Sequence, residues 1–496
     1  MKQQDYDPPG QPLVAQNPFR GQGGKPQAAP SWSESRDRLP EPVLPEQPHW
    51  VEMYWRAWEI AWSNLRRPRD GSQLPAYYLN PDANLHLSLW ETAFTTQFTL
   101  YGRRAFPFIT TLDNFYARQL DDGFIAGWLN TETGQSLLPP FDPNAAAPQV
   151  MAWVEWRYFR ISGDDGRLAQ IFWPLLAYHR WQQANRSWPD GFYWATGFSS
   201  GHFDAARIPE GAYHHHHWHW LDATAQATVT CLLLSQMALQ LGQTELAESL
   251  ALERARLQEL INGRLWNKEL NYYQDLDRDG RFSPVKALAA YWLLLDKELV
   301  DDRLADFLRP LRDETAFRRF HPLPSLSADS PDYNPDQSGV WSPLNYLVMK
   351  GLRGVGHFTL AHSLAVHHLE QVSEVYQHTD TFWDSYAVER AEPGLDAQPD
   401  YIGWTGLTPI AMLLEDVIGL YVDWPLRRVT WDRRLATTAP YGVRRFPLGP
   451  EGTLDLLGDD QQITVTTDVP FTLTVRDEEL NLQTALPAGT TTLDLR

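Results

Sequence analysis

The chain has little that would tie it to a membrane, a nucleic acid or an oxidising compartment. A single cysteine, Cys231, stands among its 496 residues, so no intrachain disulfide can form, and its setting in the apolar run ATVTCLLLSQMAL reads as a buried thiol. No run approaches the roughly eighteen apolar residues that a bilayer-spanning helix needs. The first residues, MKQQDYDPPGQPLV, hold no apolar segment of the kind that directs secretion. Positive charge is short as well: 42 Lys and Arg against 62 Asp and Glu give a formal charge of -20 without any basic block. Phosphate backbones and anionic lipid surfaces are therefore poor partners. A phosphate-cradling glycine loop, a serine nucleophile elbow and a dinucleotide fingerprint are all missing. The expectation is a soluble, cytoplasmic protein with no nucleic-acid or membrane partner, its oligomeric state open.

What is present is an ordinary globular balance, 43% hydrophobic and 21% charged residues, with an unusual aromatic load of 22 Trp, 20 Tyr and 21 Phe. Many of the tryptophans fall beside Gly, Ser, Pro or Asp. Such rings can wedge helices together, or, beside carboxylates, stack on sugar rings.

Composition divides the chain into three. Residues 1–48, rich in Pro, Gly, Gln and Ser, read as an extended arm lying on the main body. From residue 49 to 424 helical periodicity dominates, in segments near 50–66, 91–101, 105–119, 147–161, 167–186, 221–241, 244–263, 284–297, 301–309, 341–353, 356–376 and 404–420. These tend to pair, with loops rich in Trp, Gly, Asp and Pro between the pairs, as the six helical hairpins of an (α/α)6 toroid would; an irregular helical array is the alternative. Residues 425–496 alternate apolar and polar positions (QITVTTD, FTLTVRD, TTLDLR) and read as a small antiparallel β module.

Four clusters hold residues that suit chemistry. LWETAF carries Trp90 and Glu91, and the Glu also reads as a carboxylate favoured by a helix N-terminus. WVEWRYF sets Glu155 between two tryptophans, either solvated or placed to accept a sugar hydroxyl. The stretch from Trp194 holds Asp204, Arg207 and Asp222, which an ion pair and a helix cap would also explain. HTDTFWDSYAVERAEPG holds Trp383 and Asp384 just ahead of the apolar YIGWTGLTPIAMLLED with Trp404. Two aromatic loops with carboxylates about 180 residues apart suit the paired acids of glycoside hydrolysis, one protonating the leaving oxygen, the other acting on water or on the sugar. The run His214–His217 lacks an HExxH frame and a partner cysteine, so it reads as a structural loop. DLDRDG, from Asp275, has Lys286 where a calcium loop needs its bidentate Glu, and reads as a turn.

Taken in order, TLDNFYARQLDDGFI, VEWRYF, LLAYHRWQQANRSWPDGFYW, WLDATAQ, VKALAAYWLLL, PSLSAD, SGVWSPLNYLVMKGL, WDSYAVERAEPG and YIGWTGLTPIAMLLEDVIGL resemble segments of the trehalase-like clan of glycoside hydrolases, families 37 and 63. The mannosylglycerate-hydrolase-like branch is the most similar, and the likeness spans about residues 75–455. The resemblance implies an (α/α)6 toroid and an inverting hydrolysis of an α-linked sugar, with no metal or other cofactor in the chemistry. It also implies a general acid in a segment like SGMDNxPR and a general base in one like WENYxPE.

At those positions the chain departs from the family. It reads SGHFDAAR, which puts Phe203 at the acid position and Asp204 one residue late, and WDSY, which puts Asp384 where the family has Glu. The family's early WD pair is Trp90 followed by Glu91. Asp for Glu withdraws a carboxylate by roughly 1.5 Å, which the gap of about 6.5–9.5 Å in an inverting site tolerates. Moving the acid by one position is harsher, because about 1 Å of misplacement can cost on the order of a hundredfold. Two readings follow. In one, the chain is an inverting glycosidase with Asp204 as acid, Asp384 as base, and Trp90, Glu91, Glu155, Arg207, Asp222, Trp341, Trp383 and Trp404 lining the pocket for a small carbohydrate. In the other, it is a sugar-binding pseudo-glycosidase.

Overall fold

The computed structural model describes residues 11–23, 26–82, 84–202, 207 and 211–495. Where apolar residues recur at helical spacing the backbone is helical: Pro48–Ser63, Leu89–Thr99, Met151–Ser162, Asp165–Asn185, Leu221–Gln240, Thr244–Leu260, Ser342–Gly354 and Phe358–Thr379. Local chemistry sets their ends. Between the second pair, Gly163 takes the left-handed conformation (φ 72°) and Asp164 caps the next helix by accepting the Arg167 N–H at 2.9 Å, so the chain reverses within a few residues. No helix among the described residues is long and apolar enough to cross a membrane.

The other expected helices are wound differently. After Pro107 the 105–119 segment forms a 3-10 turn, Phe108–Leu112, and one short α turn, Asp113–Tyr116. Leu288–Leu295 is 3-10 throughout, and the 301–309 segment breaks into single turns at Asp301–Arg303 and Leu304–Phe307. Every residue from Leu288 to Leu294 is buried, so packing rather than propensity sets that winding. Trp404–Leu407 is a 3-10 turn that opens into a π-helix, Thr408–Val417.

The C-terminal strands form two sheets rather than one antiparallel sheet. One has four strands, in the order Asn481–Leu486, Phe471–Arg476, Arg428–Asp432 and Leu420–Asp423, and its middle pair is parallel. The other has five antiparallel strands, from Glu41–Val43 through Tyr441–Leu448, Gly452–Gly458 and Gln462–Thr467 to Gly489–Asp494. Strand pairing thus begins at Leu420, before the expected boundary at 425, and the N-terminal arm supplies an edge strand. Elsewhere in the arm, Phe19 stacks on Tyr116 at 5.3 Å and Trp32 lies tilted against Trp62 at 5.8 Å.

The apolar interior encloses an ionic cluster on the π-helix. Glu415 and Asp416, both 1% exposed, sit on the π-helix. Glu415 accepts from Tyr101 Oη at 2.6 Å, Arg157 at 2.9 Å, Tyr346 Oη at 3.1 Å and Lys350 Nζ at 2.5 Å. Asp416 takes Lys350 at 2.8 Å and Tyr421 Oη at 2.8 Å. Burial alone would raise the Glu415 pKa, but Arg157 and Lys350 outweigh it and hold the carboxyl below its ordinary value. Arg353, over the Tyr421 ring, reaches Asp432 at 2.9 Å and joins the helices to the four-stranded sheet. Glu415→Gln removes the anion and leaves Arg157 and Lys350 under-compensated in the interior. The free energy of unfolding, read from urea transitions, should fall by about 3–5 kcal/mol.

Candidate functional site

A cavity of about 310 Å³ opens among the loops, walled by Trp90, Trp128, Trp341, Trp404 and Phe198, with Asp82, Glu91, Tyr401 and His202 as polar groups. Local structure brings them together. Strand His86–Ser88 pairs with Trp128–Asn130 so that Ser88 faces Trp128, and Ser88 then caps helix Leu89–Thr99 by accepting the Glu91 N–H at 3.3 Å. Trp90 and Glu91 are therefore held on the first turn. Gly201 lies on the Trp90 ring: its φ is 71°, and a Cβ there would come within 2.6 Å of the ring, so only glycine lets that loop close on the tryptophan. Trp128 stacks on Phe198 at 5.4 Å, and Trp341 meets Trp404 edge-on at 5.8 Å.

The WDSY loop is fixed from two sides. Val340 bridges to Tyr386, which sets the loop beside Trp341 at the start of helix Ser342–Gly354. Trp404 Nε1 donates to the carbonyl of Asp384 at 2.8 Å and Thr405 Oγ1 to that of Trp383 at 2.7 Å. The Trp and Thr of the GWTG segment thus fix the backbone from which Asp384 projects. Its Oδ1 accepts the Gln398 N–H at 3.1 Å and the Ser385 hydroxyl at 3.3 Å, which leaves Oδ2 outside these bonds.

Burial makes the acids of this site reluctant to ionise. Glu91 is pushed up to about 8: burial is the chief cause, the negative charges of Asp82 and Asp384 add to it, and the Tyr401 hydroxyl, donating at 2.6 Å, only partly offsets them. Asp384 is also raised, chiefly by burial, against the Gln398 and Ser385 hydrogen bonds. His202 goes the other way: burial, with the Arg207 charge behind it, holds its imidazole neutral. Neither of its ring nitrogens has a hydrogen-bond partner among the described residues. The cavity therefore sets Glu91, with its raised pKa, a neutral imidazole and aromatic faces beside Asp82, a lining that suits a hydroxyl-rich ligand.

Of the residues expected in a pocket, Trp90, Glu91, Trp341 and Trp404 line this cavity; Asp384, whose carbonyl accepts the Trp404 indole N–H, is not among its lining residues. Four others do not line it. Trp383 turns its Nε1 to Thr379 at 3.1 Å. Glu155 is not a free hydroxyl acceptor: Arg167 grips both its oxygens at 2.7 and 2.8 Å and Tyr116 donates to it at 3.1 Å, all in the interior. Arg207 and Asp222, each 1% exposed, form a forked ion pair at 2.8 and 3.0 Å. Arg207 also grips Asp275 at 2.9 and 3.1 Å, so these three residues engage one another rather than face a ligand. Asp204 and Phe203 lie outside the described residues.

Sequence reasoning missed His202 and Tyr401. His202 stands in SGHFDAAR where the family has Met, and Tyr401 opens the quoted string YIGWTG, so both were within reach of the motifs. Asp275 was passed over because DLDRDG reads as a turn. Asp277 and Arg281 do form that turn, bonded at 2.9 Å, while Asp275 serves Arg207.

Residues 110–394 match the family described as the mannosylglycerate hydrolase MGH1-like glycoside hydrolase domain, which bears out the resemblance carried by the motifs. Among solved structures, the GH63 mannosylglycerate hydrolase from Thermus thermophilus in complex with glucose is similar with a TM-score of 0.58 at 18% identity, over 73% of this chain and 99% of that one. The GH78 family rhamnosidase of Bacillus sp. GL1 reaches a TM-score of 0.61 at 14% identity, over 89% of this chain and 43% of that one. An uncharacterized protein of Borreliella burgdorferi is 20% identical over 362 residues, 70% of this chain and 75% of its own. The structural likenesses show a shared fold.

Glu91 supplies a pH signature. Its carboxyl releases a proton near 4.5 when unfolded and near 8 when folded, so the folded chain holds the extra proton between those values and loses stability as pH climbs through them. Urea midpoints of wild type and Glu91→Gln, compared from pH 5 to 9, should show a shallower decline for the variant. Parallel profiles would mean that Glu91 titrates normally.

Proposed function

The chain belongs to the mannosylglycerate hydrolase MGH1-like glycoside hydrolase family, and on that premise we propose that it hydrolyses a small α-linked glycoside with inversion at the anomeric carbon. The observation that carries this reading is the aromatic cavity with Glu91 and Tyr401 in its wall, lined also by Trp404, whose indole holds the backbone carbonyl of Asp384. About 310 Å³ is at the small end of ligand pockets, which run from about 300 to 1,000 Å³, and favours a short glycoside over a polymer.

In this mechanism Asp384, as carboxylate, takes a proton from water as the water attacks the anomeric carbon. Asp204 gives its proton to the departing glycosidic oxygen. Inversion follows because water and leaving group occupy opposite faces of the ring. Glu91 in its protonated form and neutral His202 hydrogen-bond sugar hydroxyls, and the tryptophans cover the ring faces.

Helical hairpins in the order seen, with a fold shared with a GH63 hydrolase, support an (α/α)6 toroid over residues 49–424. The likeness to the GH78 structure over 89% of the chain supports treating the C-terminal strands as an accessory β module that braces it. The N-terminal arm adds the strand Glu41–Val43 to that module.

The decisive assay is a panel of α-linked disaccharides, sugar-glycerates and aryl glycosides, with the first-formed anomer read by proton NMR. The inverted anomer is expected. Asp384→Asn should lower kcat by about 10²–10⁴-fold with ligand affinity held within a few-fold. Unchanged turnover would remove Asp384 from the base role, and ligand binding without turnover by wild type would replace hydrolysis with sugar recognition.

A further inference from the structure

Away from the cavity, three consecutive helices each send one chemically versatile side chain to a common point. His179 lies on Asp165–Asn185, Cys231 on Leu221–Gln240 and Glu253 on Thr244–Leu260, and their ligand atoms lie within 4.8 Å of one another. His179 Nε2 is 2.8 Å from Glu253 Oε1 and 3.4 Å from Cys231 Sγ. The other ring nitrogen, Nδ1, is 2.9 Å from Gln149 Oε1. An amide oxygen can only accept, so Nδ1 carries the ring proton, and a neutral ring then turns the Nε2 lone pair toward a carboxylate and a sulfur. Such a convergence needs a proton or a cation among the three atoms, and a bound cation would serve all of them at once.

The arrangement is the one in which proteins hold an imidazole as a metal ligand, with one nitrogen donating to an oxygen and the other free to coordinate. Imidazole, thiolate and carboxylate make the mixed donor set that suits zinc and its neighbours. Metal bonds of about 2.0–2.3 Å in a tetrahedron place ligand atoms roughly 3.3–3.8 Å apart, so the contacts at 2.8 and 3.4 Å lie near that spacing and a separation as wide as 4.8 Å has to close on binding. Arg180, at 2.5 Å, and Gln183, at 3.1 Å, orient the Glu253 carboxylate from behind.

Tyr193 supplies an independent observation. It is 3% exposed and packs with Cys231, Ala227 and Leu257, yet its hydroxyl has no hydrogen-bond partner among the described residues. A phenol buried against this cluster without a partner points to something outside the chain that satisfies it.

We propose that His179, Cys231 and Glu253 bind a divalent transition cation, zinc or a close analogue, which clamps the three helices, with the Tyr193 hydroxyl at or beside the fourth position. The thiol proton leaves to solvent as the ion binds. None of these residues lines the cavity described above, so the ion is structural and takes no part in glycoside chemistry.

The test is a titration of the full, chelator-treated chain with Co²⁺, followed by absorption. One equivalent should produce tetrahedral visible bands and a near-ultraviolet sulfur-to-cobalt charge-transfer band, both displaced by Zn²⁺. Because Cys231 is the single cysteine, the sulfur band reports this site alone, whereas cobalt on the partly exposed run His214–His217 would show no sulfur ligand. Cys231→Ser should lose the sulfur band, His179→Gln should weaken binding at least about tenfold, and Zn²⁺ should raise the Tm of wild type by several degrees. A stoichiometric titration of wild type without a sulfur band, or no binding, overturns the proposal and leaves an imidazolium held between carboxylate and thiol. Should Cys231→Ser fail to fold, the wild-type spectrum decides alone.

Discussion

The helical part of this molecule is held in register by two adjacent carboxylates in its interior. Glu415 and Asp416 receive Tyr101, Arg157, Tyr346, Lys350 and Tyr421, groups from separate stretches of chain. Hydrophobic contacts alone would allow those stretches to slide, since apolar faces are tolerant of small shifts. Charged hydrogen bonds at 2.5–2.9 Å are not, because a displaced partner leaves a charge stranded in a poor dielectric. The π-helical winding of Thr408–Val417 brings both acids onto the side that meets these partners, and it follows directly on the turn whose Trp404 and Thr405 hold the Asp384 loop. Core and site are thus two ends of one rigid piece.

The site obeys the opposite logic. Few charges compensate its acids, so burial dominates, and a carboxyl that a helix N-terminus would otherwise favour as an anion retains its proton. Aromatic walls that suit a sugar ring and a carboxyl that stays neutral have one origin, the exclusion of water from the same volume.

Long periodic stretches announced themselves in the sequence because an amphipathic helix writes its apolar face at a fixed spacing, as in Phe358–Thr379. Leu288–Leu295 did not reveal its 3-10 winding, for a segment buried on all sides carries no periodicity to read. The parallel pairing of Phe471–Arg476 with Arg428–Asp432 was equally hidden, since alternation marks a strand but not its neighbour. At the site, Trp90, Trp341 and Trp404, which their motifs singled out, stand in the wall of the cavity. Glu155 misled because its flanking tryptophans suggested a ligand, while its actual partner, Arg167, lies on the following helix and is ordinary in sequence. His202 escaped notice because nothing in its composition distinguishes an imidazole with both nitrogens unpartnered from one that is satisfied.

The strand Glu41–Val43 pairs with Tyr441–Leu448, residues some four hundred positions later. During synthesis, therefore, this strand waits with nothing to pair until all the helices that separate it from its partner have left the ribosome. Translation at about 5–20 residues per second imposes a delay of tens of seconds. The helices can assemble in that interval, whereas the sheet closes only after it. Its completion is a late topological event in the life of the nascent chain, and an N-terminal segment spends that time as an exposed strand in search of a partner.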